Sequence, residues 1–107
     1  MPGFTIHIAI ANEYMRKHKK EILEREAFIK GTIAPDLSED KYKSHYENHG
    51  ENHVGLSKFM KQTEIDIKSD YGKGYFLHLL TDELFYHHVF EKETRICTKK
   101  SFENFLP

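Results

Sequence analysis

The chain is predicted to fold as an all-α domain, and three features of its 107 residues say so. Apolar residues recur at helical spacing in four segments. No segment alternates long enough to make a half-buried strand. Breaks rich in Gly, Pro and polar residues fall between the helical runs. The length suits one small domain spanning 1–107, either whole or the N-terminal part of a longer one, and eight phenylalanines with six tyrosines can supply a core.

The first helix is expected over Thr5 to Lys19, where Ile6, Ala9, Ile10 and Tyr14 share helical spacing. Thr5 can cap it, and Arg16, Lys17, Lys19 and Lys20 suit a helix C-terminus. A second run, Glu21 to Lys30, sets Ile22, Leu23, Ala27 and Phe28 on one side, with Gly31 as a natural stop. Helical order then breaks over Gly31 to Asp36, because Pro35 disfavours the α region at Ala34. Asp36 to His53 is polar and reads as a loop of about 18 residues, a length that points to function in a small domain. Leu56, Phe59 and Met60 mark a short third helix starting near His53. Thr63 to Tyr71 reads as linker, in which Ile65 and Ile67 allow only a brief extended stretch. The strongest helix runs from Tyr75 to about Glu93, after Gly72 and Gly74.

Composition narrows the function. A net charge of −1 gives no strong field toward nucleic acid or acidic lipid. The single cysteine, Cys97, excludes an internal disulfide and a thiolate-rich metal site. No apolar run approaches the roughly 20 residues that span a bilayer, and the N-terminus lacks the basic start of a secretory signal. A reducing, cytoplasmic setting is therefore expected. Eight histidines are what stands out.

His78 and Asp82 are i and i+4 on the last helix, about 40° apart on one face. Leu77, Leu79, Leu80, Leu84 and Phe85 surround them, so the pair is expected to be buried. An imidazole and a carboxylate in that relation can chelate one divalent ion, or they can form a hydrogen bond that ties two helices. His88 follows His78 by ten residues, about 80° around the helix, within reach of a second ion. His87 points nearly opposite. His7 lies near the start of an apolar helix, where a lone histidine is commonly a satisfied core residue. Asp36 follows Ala-Pro at the mouth of the long loop and can aim into a cleft or simply serve the turn. His45, His49 and His53 are spaced by four, and one or two of them are candidate ligands. Imidazole and carboxylate donors without thiolate suit zinc, with manganese or iron as other options. Two ions about 3.5–4 Å apart, bridged by a carboxylate, stabilise both the attacking and leaving oxygens at phosphorus.

The sequence resembles the zinc-dependent phospholipase C family, whose wider superfamily includes the fungal zinc nucleases. The likeness lies in Thr5-x-His7 near a Met-Pro start, Gly31-x-Ile-Ala-Pro-Asp36, Lys43-Ser44-His45, and Gly74-Tyr75-x-Leu77-His78-x3-Asp82, and it extends along essentially the whole chain. The family's His-x3-Asp-x5-His run is matched by His78, Asp82 and His88. This resemblance implies a helical metal-binding domain in which Asp36, His78 and Asp82 are ligands and Asp82 bridges. It makes Asp36 also the group that orients or deprotonates the attacking water. His7 matches the N-terminal metal site and His88 a further ion. His45 is the favoured loop ligand, with His53 and His49 behind it. A later His-x3-Glu of the family has no counterpart after His88, which favours one or two zinc ions.

The reading that follows is a metal-dependent hydrolase of a small phosphoester or phospholipid head group. A helical phosphohydrolase of the His-Asp type needs an adjacent His-Asp dipeptide, and none occurs. The non-enzymatic alternative is a helical metal- or partner-binding domain whose histidines are structural or respond to pH. Oligomeric state has no signature here.

Overall fold

A computed structural model describes residues 3–47 and 54–90. These form five helices: α1 (Phe4–Lys17), α2 (Arg25–Leu37), α3 (Lys41–Ser44), α4 (Leu56–Lys61) and α5 (Asp70–Phe90). No strand occurs among the described residues, and no helix there is long and apolar enough to cross a membrane. The fold is all-α.

α5 is covered on several sides, by α2 above all and also by α1 and α4. Leu77 joins Ala11, Met15, Ile22 and Phe28 in one core cluster, while Tyr75 and Leu79 join Val54 and Phe59 in a second. His78 and Asp82 occupy the same helix and are as deeply buried as these apolar groups, at 0% and 2% exposure.

The principal pairing is α2 against α5, and glycine sets its closeness. A Cβ on Gly31 would lie 1.9 Å from the Tyr71 carbonyl oxygen, and one on Gly74 would lie 2.0 Å from the Phe28 carbonyl oxygen. Each helix thus offers a bare backbone where the other presses in. The two ends are also joined. Asp70, in the first turn of α5, accepts hydrogen bonds from the Glu24 and Leu23 amides at 2.8 and 3.2 Å, and so caps α2 from outside it.

Several expected boundaries are corrected. α1 ends at Lys17 with His18 as its C-cap, not at Lys19. α2 does not stop at Gly31 and is not broken by Pro35; it runs from Arg25 through both to Leu37. Burial of Phe28, Gly31, Thr32 and Pro35 against the rest of the fold outweighs the local bias of Ala34 against the α region. The expected loop from Asp36 to His53 contains the end of α2 and the single turn α3, and residues 48–53 lie outside the described residues. α5 begins at Asp70, five residues before Tyr75. The Ser69 hydroxyl accepts from the Gly72 amide at 2.9 Å, an N-cap bond that carries the two glycines into the helix. Its expected end at Glu93 lies outside the described residues.

Gly31→Ala and Gly74→Ala are each expected to lose upwards of about 2 kcal/mol by chemical denaturation, because the added methyl meets unyielding backbone. Gly3→Ala, with nothing within 4 Å of the added carbon, is expected to change stability by less than about 1 kcal/mol.

Candidate metal centre

Asp82 lies at the middle of the site. Its Oδ2 stands 3.1 Å from His78 Nε2 and 3.2 Å from His45 Nε2, and its Oδ1 stands 3.1 Å from His7 Nε2. The imidazoles come from three elements: His7 from α1, His45 from the C-cap of α3, and His78 from one turn earlier on α5. Asp36, the second-last residue of α2, brings Oδ1 to 3.3 Å from His45 Nε2 and 3.5 Å from His78 Nε2.

His45 owes its place to the way α3 ends. The Glu47 amide donates to the Tyr42 carbonyl and the Tyr46 amide to the Lys43 carbonyl, both at 3.1 Å, which is a Schellman closure. The residue that takes the left-handed conformation there is Tyr46, at φ 54, where glycine is usual. Its ring meets Phe59 and Tyr75 edge-on, so packing holds a backbone that a tyrosine alone disfavours.

Hydrogen bonds at the far nitrogens fix the two central rings. His78 Nδ1 lies 2.6 Å from the Thr32 carbonyl oxygen and His45 Nδ1 lies 2.9 Å from that of Lys41. A carbonyl only accepts, so both rings carry hydrogen on Nδ1. The neutral tautomers then direct Nε2 lone pairs inward, 3.2 Å from each other and beside the oxygens of Asp36 and Asp82. Acceptors facing acceptors repel one another unless a cation or a shared proton lies between them. Without metal, a proton is the available solution. Burial lowers the His45 pKa, but the Asp82 carboxylate, the Lys41 carbonyl and Asp36 outweigh it and hold the imidazole above its usual value. Burial pushes the Asp82 carboxyl up, and the imidazoles of His45, His7 and His78 more than offset this, keeping it well below the usual carboxylate range.

His7 is different. Its ring stacks on His78 with centroids 3.7 Å apart and planes 9° apart. Nε2 approaches Asp82 Oδ1 closely but without the alignment of a hydrogen bond, so both of these buried atoms, and His7 Nδ1, lack hydrogen-bond partners. Orphaned buried donors and acceptors are costly, and an ion relieves them.

The donor set fits a metal. His45 Nε2, His78 Nε2 and Asp82 Oδ2 form a near-equilateral triangle with edges of 3.1–3.2 Å. Donors bound tetrahedrally at about 2.0–2.2 Å stand roughly 3.3–3.5 Å apart, close to that triangle. A second group, His7, Asp36 and His78, also brings its ligand atoms within 4.8 Å of one another. All of these are thiolate-free.

Of the residues singled out in the sequence, the fold brings together His7, Asp36, His45, His78 and Asp82. His53 and His49 lie outside the described residues, as do the side chains of His88 and His87. His18 instead pairs with Glu21 at 3.1 Å and stacks on Tyr14. Sequence reasoning missed Thr32 and Lys41, which act through backbone carbonyls and leave no signature in residue type. It also left Ser44 and Tyr75 without roles. No family model, curated protein or solved structure matches this chain.

The two shifts give the metal-free protein a stability maximum. Asp82, depressed below an ordinary 3.8, contributes stability that is present above that pH and lost as pH falls. His45, raised above 6.5, contributes stability that is present below that pH and lost as pH rises through its folded value. In chelator, the melting temperature is therefore expected to fall as the pH rises above 6.5. Zinc is expected to reverse that trend, because neutral imidazoles are the ligands. A flat chelator profile would show that His45 holds no proton in the cluster.

Proposed function

We propose that the chain is a metal-dependent hydrolase of phosphoesters, with zinc as the favoured ion and manganese or iron as substitutes. Its substrate on this reading is a small phosphodiester or a phospholipid head group, and its setting the cytoplasm, in keeping with the single cysteine. One observation carries the proposal: two tautomer-fixed Nε2 atoms converge with carboxylate oxygens in the protein interior. His45, His78, Asp82 and Asp36 would hold one ion. His7, with the Asp82 oxygen beside it or with Asp36 and His78, would hold a second. The zinc-dependent phospholipase C resemblance assigns ligand roles to these same positions.

A bound divalent ion supplies an activated water and neutralises charge at phosphorus. The chain's own groups do the rest. Asp36 is the one cluster carboxylate open to solvent, at 19% exposure against 2% for Asp82. It is placed to orient an incoming water and take its proton as the oxygen bonds to phosphorus. The phosphorus bond to the leaving alcohol then breaks, and the proton passes to that oxygen. Asp82, deeper and surrounded by imidazoles, serves as a ligand and not as a base.

A second reading is a closed, non-catalytic metal site, favoured by the burial of His7, His45, His78 and Asp82. Metal content and turnover separate the two. Elemental analysis of purified protein is expected to find one or two equivalents of zinc, manganese or iron, lost in Asp82→Asn and His78→Ala but kept in His18→Ala. The loaded protein is expected to hydrolyse bis(p-nitrophenyl) phosphate, and chelation to abolish this. Metal without turnover on a panel of phosphoesters selects the second reading. No metal after zinc incubation removes both.

A further inference from the structure

Three polar contacts of Ser44 lead to segments that carry a ligand, beside two within its own turn, where its amide donates to the Asp40 carbonyl at 3.0 Å and its hydroxyl also lies 3.3 Å from the Lys41 carbonyl. Its hydroxyl donates to the Pro35 carbonyl at 2.8 Å, the residue immediately before Asp36. The same oxygen stands 3.1 Å from His45 Nδ1, whose hydrogen it shares with the Lys41 carbonyl. The Ser44 carbonyl accepts a hydrogen bond from the Tyr75 hydroxyl, one turn before His78 on α5. The single hydroxyl hydrogen goes to the Pro35 carbonyl, the nearer of its two acceptors, and a lone pair remains for the His45 Nδ1 hydrogen.

We infer that Ser44 and Tyr75 form a positioning pair that fixes His45 Nε2 against His78 and Asp82, and Asp36 against His45. The inference rests on the metal-centre reading and deepens it. α3 is a single turn and cannot hold an imidazole in place by itself. Other contacts also hold the His45 segment, such as the Gly55 amide donating to the His45 carbonyl at 3.1 Å and the aromatic packing of Tyr46. Among the described residues, and apart from the approach of the His45 ring itself to Asp36, His78 and Asp82, the Ser44–Tyr75 pair ties this segment to both α2 and α5 close to the ligands. Tyr75 is well suited to this, since Phe59 stacks on its ring at 5.2 Å with planes 3° apart and fixes where its hydroxyl points. Groups that orient ligands in this way commonly tune metal affinity by roughly 10–100-fold.

Cobalt(II) is the probe, because its visible d–d bands report ligand geometry. Wild type, Ser44→Ala and Tyr75→Phe are titrated with cobalt(II) against a competing chelator, and the metal-free melting temperature of each is recorded. Both variants are expected to bind cobalt roughly 10–100-fold more weakly, with shifted d–d bands, while remaining folded. A purely structural role lowers the melting temperature and leaves affinity and bands unchanged, because a variant that is still folded presents the native site. That result overturns the inference and leaves the metal centre standing. Should Ser44→Ala fail to fold, Tyr75→Phe decides, since it keeps the ring and its stacking. Loss of helical circular dichroism in both defines the pair as structural and overturns it too. Absence of cobalt binding by wild type removes the metal-centre reading and this inference with it.

Discussion

Asp82 brings a carboxylate into the interior of a small helical fold, where an unpaired charge costs several kcal/mol. Much of the surrounding arrangement answers that demand. Imidazoles approach from α1, from the end of α3 and from α5 itself, and two of them are fixed by carbonyls behind them. To bring the Thr32 carbonyl into place, α2 must lie close beside α5, which requires the bare backbone at Gly31 and Gly74. The glycines thus serve the charge at one remove. They allow the approach that lets the Thr32 carbonyl orient the ring that meets the carboxylate.

The membership of the cluster was more legible in the sequence than its geometry. His78 and Asp82 were readable because helical periodicity alone puts them on one face, and the apolar residues around them announce burial. His7 and Asp36 were readable as residue types in suggestive places, but their convergence depends on tertiary packing that no local pattern encodes. His45 could not be separated from His49 and His53 by spacing. What distinguishes it is the Schellman turn, and its left-handed residue is Tyr46, a residue type that does not advertise the conformation. The fold class was clear from the separation of helical runs.

Two of the corrected boundaries, the end of α2 and the start of α5, share one cause. Gly31 and Pro35 read locally as helix breakers and Gly72 and Gly74 as a lead-in, because each disfavours a helix in isolation. In the structure all four lie inside helices. Packing of α2 on α5 stabilises those turns, and a glycine at a close crossing removes an obstacle instead of ending a helix. The same marks in the sequence that locally read as punctuation are, across the interface, points of contact.

The cluster draws on positions 7, 36, 45, 78 and 82, and this separation has a consequence for the order of events during synthesis. A ribosome releases the chain from its N-terminus, so His7, Asp36 and His45 emerge well before the helix that carries Asp82. Until then those three have no buried carboxylate to gather round, and α2 lacks the partner that covers Phe28 and Thr32. Closure of the site must therefore be a late, long-range step, paid for in loop entropy before any contact rewards it. The most deeply buried charge in the cluster is the last to leave the ribosome.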